Sequence, residues 1–224
     1  MRPPRHPATG PLAGTLLAVA LLAGASACGA SPTAAPPAAA TAPAFHGVEP
    51  SPVPSRPAFT LTDTTGARYD FAARTAGHPT YVYYGYTHCP DECPTAMADL
   101  ATVLRTAPAA LAAQTRVVFV TTDPTRDTAP VLRRWLDRFS PAIVGLLGTQ
   151  VDVDAAQTAA GVPAAHVEGP SRTPGAAGYS VAHSSVIFAY DAADRLPVVY
   201  PGGVTPSEIA ADLPALAHPA GSTK

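Results

Sequence analysis

Two cysteines, Cys89 and Cys93, stand in the stretch "YYGYTHCPDECPTAM", and each is followed at once by a proline, Pro90 and Pro94. Such a pair can close a structural disulfide, exchange electrons with another thiol pair, or hold a soft metal. In a regular helix, side chains four residues apart keep their Cβ atoms about 5 to 6 Å apart, wider than the roughly 3.5 to 4.5 Å of a disulfide. A proline also steers the residue before it away from the α region, so the pair is expected in a pre-set loop. Pro94 at the first position of a following helix would make Cys93 its N-cap, where the positive helix end favours a thiolate and lowers the Cys93 pKa. A structural disulfide is disfavoured, because closing so short a loop gains little. Redox exchange and metal binding both use a thiolate, so the spacing leaves both open.

The elements around this loop are legible as hydrophobic patterns. "AFTLTDTTGARYDF" reads as a hairpin turning at Thr65-Gly66, "HPTYVYYGYT" as a buried strand entering the cysteine loop, and "PTAMADLATVL" as the helix leaving it, with Met97, Leu100, Val103 and Leu104 on one face. Next come a strand "RVVFVTT" and a helix in "DPTRDTAPVLRRWLDRF" with an N-cap at Asp127 or Thr128. Its apolar face is Val131, Leu132, Trp135 and Phe139; Asp123 reads as a turn residue and Trp135 as core. A strand "IVGLLG" and a short helix near 153–160 follow. "GYSVAHSSVIFAYD" and "RLPVVYPGG" then read as two antiparallel strands about a turn at Ala192 to Asp194, and "TPSEIAADLPALA" as a closing helix. The class is α/β: a sandwich with a central mixed sheet and helices on both faces.

That order resembles the thioredoxin fold with an N-terminal hairpin and an inserted strand. The resemblance implies that the loop before "SSVIFAY" faces the cysteine loop, at a place where thiol oxidoreductases of this fold carry a cis-proline. Here Val181-Ala182-His183-Ser184 has no proline and offers an imidazole. Two sulfurs and one nitrogen favour copper; zinc suits the ligand types but usually wants a fourth ligand in a structural site. His88 is expected to point away from Cys89 along an extended segment. His46, His78, His166 and His218 lie in polar or proline-rich surroundings and read as solvated.

Outside this domain the chain changes character. Of 224 residues only 13% are charged, with a formal net charge of -2, which leaves no basic footprint for nucleic acid. Residues 1–28 read as a signal segment: Arg2 and Arg5, an apolar run over about 11–24, then small residues ending in "GASAC". That ending is similar to the lipobox of bacterial lipoproteins, which makes Cys28 a lipidation site; ordinary cleavage after "ASA" is the alternative. With Cys28 lipidated, the other two of the three cysteines form a closed pair. The expected location is the extracytoplasmic face of a bacterial cell membrane. Residues 29–57 are rich in proline and alanine and read as a tether, reaching roughly 80 Å at about 3.1 Å per residue. The domain is expected over 58–218 and a short tail over 219–224.

"GYTHCPDECP", "TTDPTRDTAPVLRRWL" and "YSVAHSS", in that order, resemble the three signatures of the Sco/SenC family of extracytoplasmic copper chaperones. The resemblance runs from about Phe59 to Leu216. It implies a thioredoxin-like fold and binding of Cu(I) and Cu(II) by Cys89, Cys93 and His183. It also implies a role in building the dinuclear copper centre of cytochrome c oxidase, by delivering copper or by keeping that centre's cysteines reduced, with subunit II of the oxidase or another copper chaperone as partner. A loop around Gly169 to Gly178 is expected to let a partner's cysteines exchange ligands with the site. Two departures stand out: Ala182 where the family often has an acidic residue that could orient the histidine, and Glu92 where a small apolar residue is commoner. A thiol-disulfide oxidoreductase is the competing reading, with Cys89 and Cys93 as its catalytic pair. A peroxiredoxin-like peroxidase is opposed by the closeness of the two cysteines and by the lack of a TxxC loop.

Overall fold

A computed structural model describes residues 45–170 and 178–219. The signal segment with Cys28, residues 29–44 of the tether, and most of the 169–178 loop lie outside the described residues. No helix among the described residues is long and apolar enough to cross a membrane.

The centre is a seven-stranded mixed sheet. A hairpin of β1 (Thr60–Asp63) and β2 (Arg68–Asp70) turns through Gly66 at a φ of 87°, which a glycine adopts without strain. After α1 (Phe71–Thr75), β3 (Thr80–Gly85) enters the middle of the sheet. Helix α2 (Glu92–Thr106) and the short α3 (Ala109–Gln114) lead to β4 (Arg116–Thr121), which pairs in parallel with β3. Then come α4 (Ala129–Leu136), β5 (Val144–Leu147) and α5 (Gln150–Ala159). β6 (His166–Pro170) and β7 (Tyr179–Ala182) form a separate two-stranded ribbon. β8 (Ile187–Tyr190), β9 (Val198–Tyr200) and α6 (Pro206–Ala217) close the chain. The sheet order is β2-β1-β5-β4-β3-β8-β9.

Alternation along β3 and β4 divides the core into two layers. Tyr81, Tyr83, Val117 and Phe119 face α2, α4 and α6 through Met97, Leu100, Leu132, Trp135, Ile209 and Leu213. Val82, Tyr84, Val118 and Val120 face Phe71 of α1 and Val153 and Ala156 of α5. Helices thus cover both faces, as the strand and helix order implied.

The structure differs from the sequence reading in several places. "GYSVAHSSVIFAYD" is not one strand: β7 pairs with β6, β8 pairs with β3 and β9, and His183 lies in the break between them. Residues 45–57, assigned to the tether, are held to the domain. Val48 and Val199 exchange backbone hydrogen bonds, and Leu196 and Asp194 pair with Pro54 and Arg56. The Arg56 side chain, 3% exposed, donates to Asp194, Thr75 and the carbonyls of His78 and Asp191, and its guanidinium lies 5.2 Å from the Tyr190 ring centre. A proline-rich stretch with few apolar residues docks here through backbone pairing and one buried arginine, which composition does not reveal. His46, expected to be solvated, bonds Asp212 at 2.6 Å, and the buried Asp212 also accepts from Tyr200.

Candidate metal centre

Cys89 follows the end of β3, the loop from Tyr86 to Asp91 carries it, and α2 begins at Glu92. Because β8 runs antiparallel to β3, with Val82 opposite Phe188, the segment entering β8 lies beside the segment leaving β3. That register delivers His183 to the cysteines from ninety residues away. The ligand atoms of Cys89, Cys93 and His183 all lie within 4.8 Å of one another, and Cys93 Sγ is 3.5 Å from His183 Nε2. No other group of three or more histidine, cysteine or carboxylate side chains with metal-holding geometry occurs among the described residues.

The two sulfurs differ, and in the sense opposite to the one expected. Cys93 is the second residue of α2, not its N-cap, so Pro94 does not hold it outside the helix. It is fully buried, and burial together with the neighbouring Cys89 sulfur pushes its thiol well above the ordinary range. Cys89 stands ahead of the helix, and its sulfur accepts the Cys93 backbone N–H at 3.4 Å. The N-cap Asp91 makes no side-chain cap bond, so the Cys89 sulfur takes an N–H that a cap would otherwise hold. Hydrogen bonding from Cys93, against an opposing burial effect and aided by His183 and backbone N–H groups, lowers the Cys89 pKa to about 4. The helix start does stabilise a thiolate, but on the cysteine that precedes it. Of the coupled pair, Cys89 is therefore the sulfur that ionises first and Cys93 the one that keeps its proton more firmly.

His183 is oriented by its own backbone. Nδ1 donates to the Ser184 carbonyl at 2.9 Å, which turns Nε2 towards the sulfurs. A carbonyl thus fills the orienting role that Ala182 cannot supply. Burial opposes charge on the ring, yet hydrogen bonds to Cys89 and to the Ser184 carbonyl raise its pKa overall. Tyr83 and Tyr86 pack edgewise on the imidazole, with ring centres 6.1 and 5.5 Å away.

Four further residues shape the site, and the sequence reading gave them lesser roles or none. A Cβ on Gly85 would lie 2.6 Å from Cys93 Sγ and 2.9 Å from the Tyr83 ring, so only glycine admits the sulfur there. Asp127, read as a cap, is fully buried and accepts from Thr87 N, Thr87 Oγ1 and Thr121 Oγ1 at 3.0, 2.6 and 2.6 Å. Asp123, read as a turn residue, binds the Arg126 guanidinium and accepts from the Tyr179 hydroxyl at 2.9 Å. Arg126 in turn donates to the Tyr179 carbonyl and stacks 3.7 Å from that ring centre. The "DPTRD" turn therefore fastens the cysteine loop through Thr87 and the histidine strand through Tyr179. His88 is half-exposed, bonded to Thr87, and outside the three-ligand cluster. His166 and His218 are exposed, whereas His78 is half-buried beside Arg116.

A family model described as SCO1/SenC matches residues 48–218. The chain belongs to the SCO1/SenC family. Among curated SCO1/SenC relatives, the protein SenC of Rhodobacter capsulatus is 33% identical over 68% of this chain and 66% of its own length. A SCO2-like protein of Rickettsia felis is 31% identical over 60% of this chain and 63% of its own length. The chain spans about half to two thirds of the length of the first such relatives. Among solved structures, ScoI of Bradyrhizobium japonicum with copper bound superposes with a TM-score of 0.62 at 30% identity, covering 72% of this chain and 99% of that one. That structure shares the thioredoxin-like fold seen here.

Proposed function

We propose that this chain is an extracytoplasmic copper carrier that binds Cu(I) and Cu(II) through Cys89 Sγ, Cys93 Sγ and His183 Nε2 and assists assembly of the dinuclear copper centre of cytochrome c oxidase. The observation that carries this reading is the convergence of two sulfurs and a tautomer-fixed imidazole nitrogen within 4.8 Å. The donor set fits copper: thiolates suit Cu(I), and the imidazole extends the site to Cu(II). Two thiolates and a neutral ring leave the site with one negative charge around Cu(I) and none around Cu(II). Loading must displace the Cys93 proton, and any proton on His183 Nε2, so uptake is favoured as pH rises. Half-exposed Cys89 is the sulfur a partner's thiol can approach, while buried Cys93 anchors the metal. Lipidation at Cys28 and residence at the outer face of a bacterial membrane belong to the same reading; subunit II of the oxidase, or another copper chaperone, is the partner.

A competition titration with a coloured Cu(I) chelator tests the ligand set. His183→Ala and Cys89→Ser should each weaken Cu(I) binding by about a hundredfold or more; equal affinity in wild type and His183→Ala would sink the assignment. One feature favours a second reading, reduction of the oxidase centre's cysteines: half-exposed Cys89 accepts a helix-start N–H that holds it towards the thiolate, with buried Cys93 next to it as a resolving thiol. Loss of oxidase activity in cells lacking the gene, rescued by added copper but not by a small reductant, supports the carrier. The reverse pattern supports the reductase.

A further inference from the structure

A cleft of about 230 Å³ opens between the start of α2 and the β9–α6 turn; none of the three ligand residues lines it, but Asp91, Glu92 and Ser185, close to them in sequence, do. Its apolar wall includes Ile187, Tyr200 and Ile209, and the carboxylates of Asp91, Glu92 and Asp99 line it with no basic side chain among them. We propose that this cleft docks an extended segment of the protein that exchanges metal with the Cys89-Cys93-His183 site, a segment bearing an apolar side chain flanked by arginine or lysine. The proposal rests on the metal-exchange reading above and names the chemistry of the partner.

Three observations select that occupant. The three carboxylates form no ion pair with any described residue, and burial raises the Asp99 pKa, so a cation would relieve charge already partly removed from water. Asp91 and Glu92 lie in sequence between the two cysteines, so a segment in the cleft rests on the loop that carries the site. A second opening at the same loop is lined by His88, Trp135, Arg134 and Arg138, so the loop borders an acidic opening through Asp91 and Glu92 and a basic one through His88, a contrast that favours one direction of approach. The chain's own residues 29–44 contain no lysine or arginine and do not complement the cleft.

The test uses the metal-free, reduced protein and two fluorescein-labelled peptides, one with leucine between arginines and one with glutamates in their place. Anisotropy should show the arginine peptide binding roughly tenfold tighter at low salt, with the difference shrinking as salt screens the carboxylates. Asp99→Arg and Gly202→Trp should each weaken it by roughly fivefold or more. Gly202 lines the cleft, and a Cβ there meets nothing within 4 Å, so the added ring blocks the cleft without straining the fold. Equal binding of the two peptides, wild-type binding by both variants, or a dimer by light scattering that both variants dissolve would overturn the proposal, the last by giving the cleft to a second copy. Because docking is read without metal, His183→Ala should leave it unchanged. A failed copper titration and a failed docking assay are therefore separate results.

Discussion

At the scale of single residues, two cysteines of the same chemical type are made unlike by four positions of sequence. Cys89 accepts a helix-start N–H and a hydrogen bond from its neighbour's thiol, whereas Cys93 is sealed beneath it. The depressed Cys89 value means the thiolate persists at every pH above about 4. Iodoacetamide should therefore alkylate Cys89 of the reduced, metal-free protein at a nearly constant rate from about pH 6 to 8 and leave Cys93 untouched until the fold is opened. Peptide mass spectrometry reads this directly, and a rate climbing about tenfold per pH unit through that range would mark an ordinary thiol. Gly85 sets the other limit. Gly85→Ala should cost about 1 to 3 kcal/mol of stability through overpacking, and should weaken Cu(I) binding by displacing Cys93 Sγ. Denaturant melts and the chelator titration measure the two effects separately.

At the scale of elements, the site depends on a turn that never touches the sulfurs. Asp127 gathers three donors from the cysteine loop and from β4, so Asp127→Ala strands them in the interior and should destabilise by about 2 to 4 kcal/mol. Asp127→Asn, which keeps an acceptor oxygen, should cost less in a urea titration. The segment over 45–57 is fastened partly by His46 on Asp212. The His46 pKa is raised by its hydrogen bond to Asp212, so this contact contributes fully below the ordinary histidine value near 6.5 and is lost as pH rises through the folded value. The difference in melting temperature between wild type and His46→Ala should accordingly be larger at about pH 6 than at about pH 8.5. No change in that difference would mean that the pair adds nothing.

At the scale of the whole molecule, the folded unit begins before the tether was expected to end. A chain starting at residue 58 should unfold at lower urea than one starting at 45, by on the order of 2 to 5 kcal/mol, because it lacks buried Arg56 and leaves Asp194, Asp191 and Thr75 without their donor. Equal midpoints would return 45–57 to the tether. What the sequence determined by itself was local: β-branched and aromatic runs, helical spacing and turn residues named the order of strands and helices, and three short motifs named the family. The ligand types were equally plain, since cysteine and histidine carry their chemistry with them. Which cysteine holds the charge, that a backbone carbonyl aims His183, and that two aspartates clamp the loops were decided by the tertiary structure alone. Burial and long-range hydrogen bonding set each of these, and both depend on how β3, β7 and β8 come together rather than on any neighbouring residue. The helix-start rule was sound, but only the fold showed which sulfur lay in front of it.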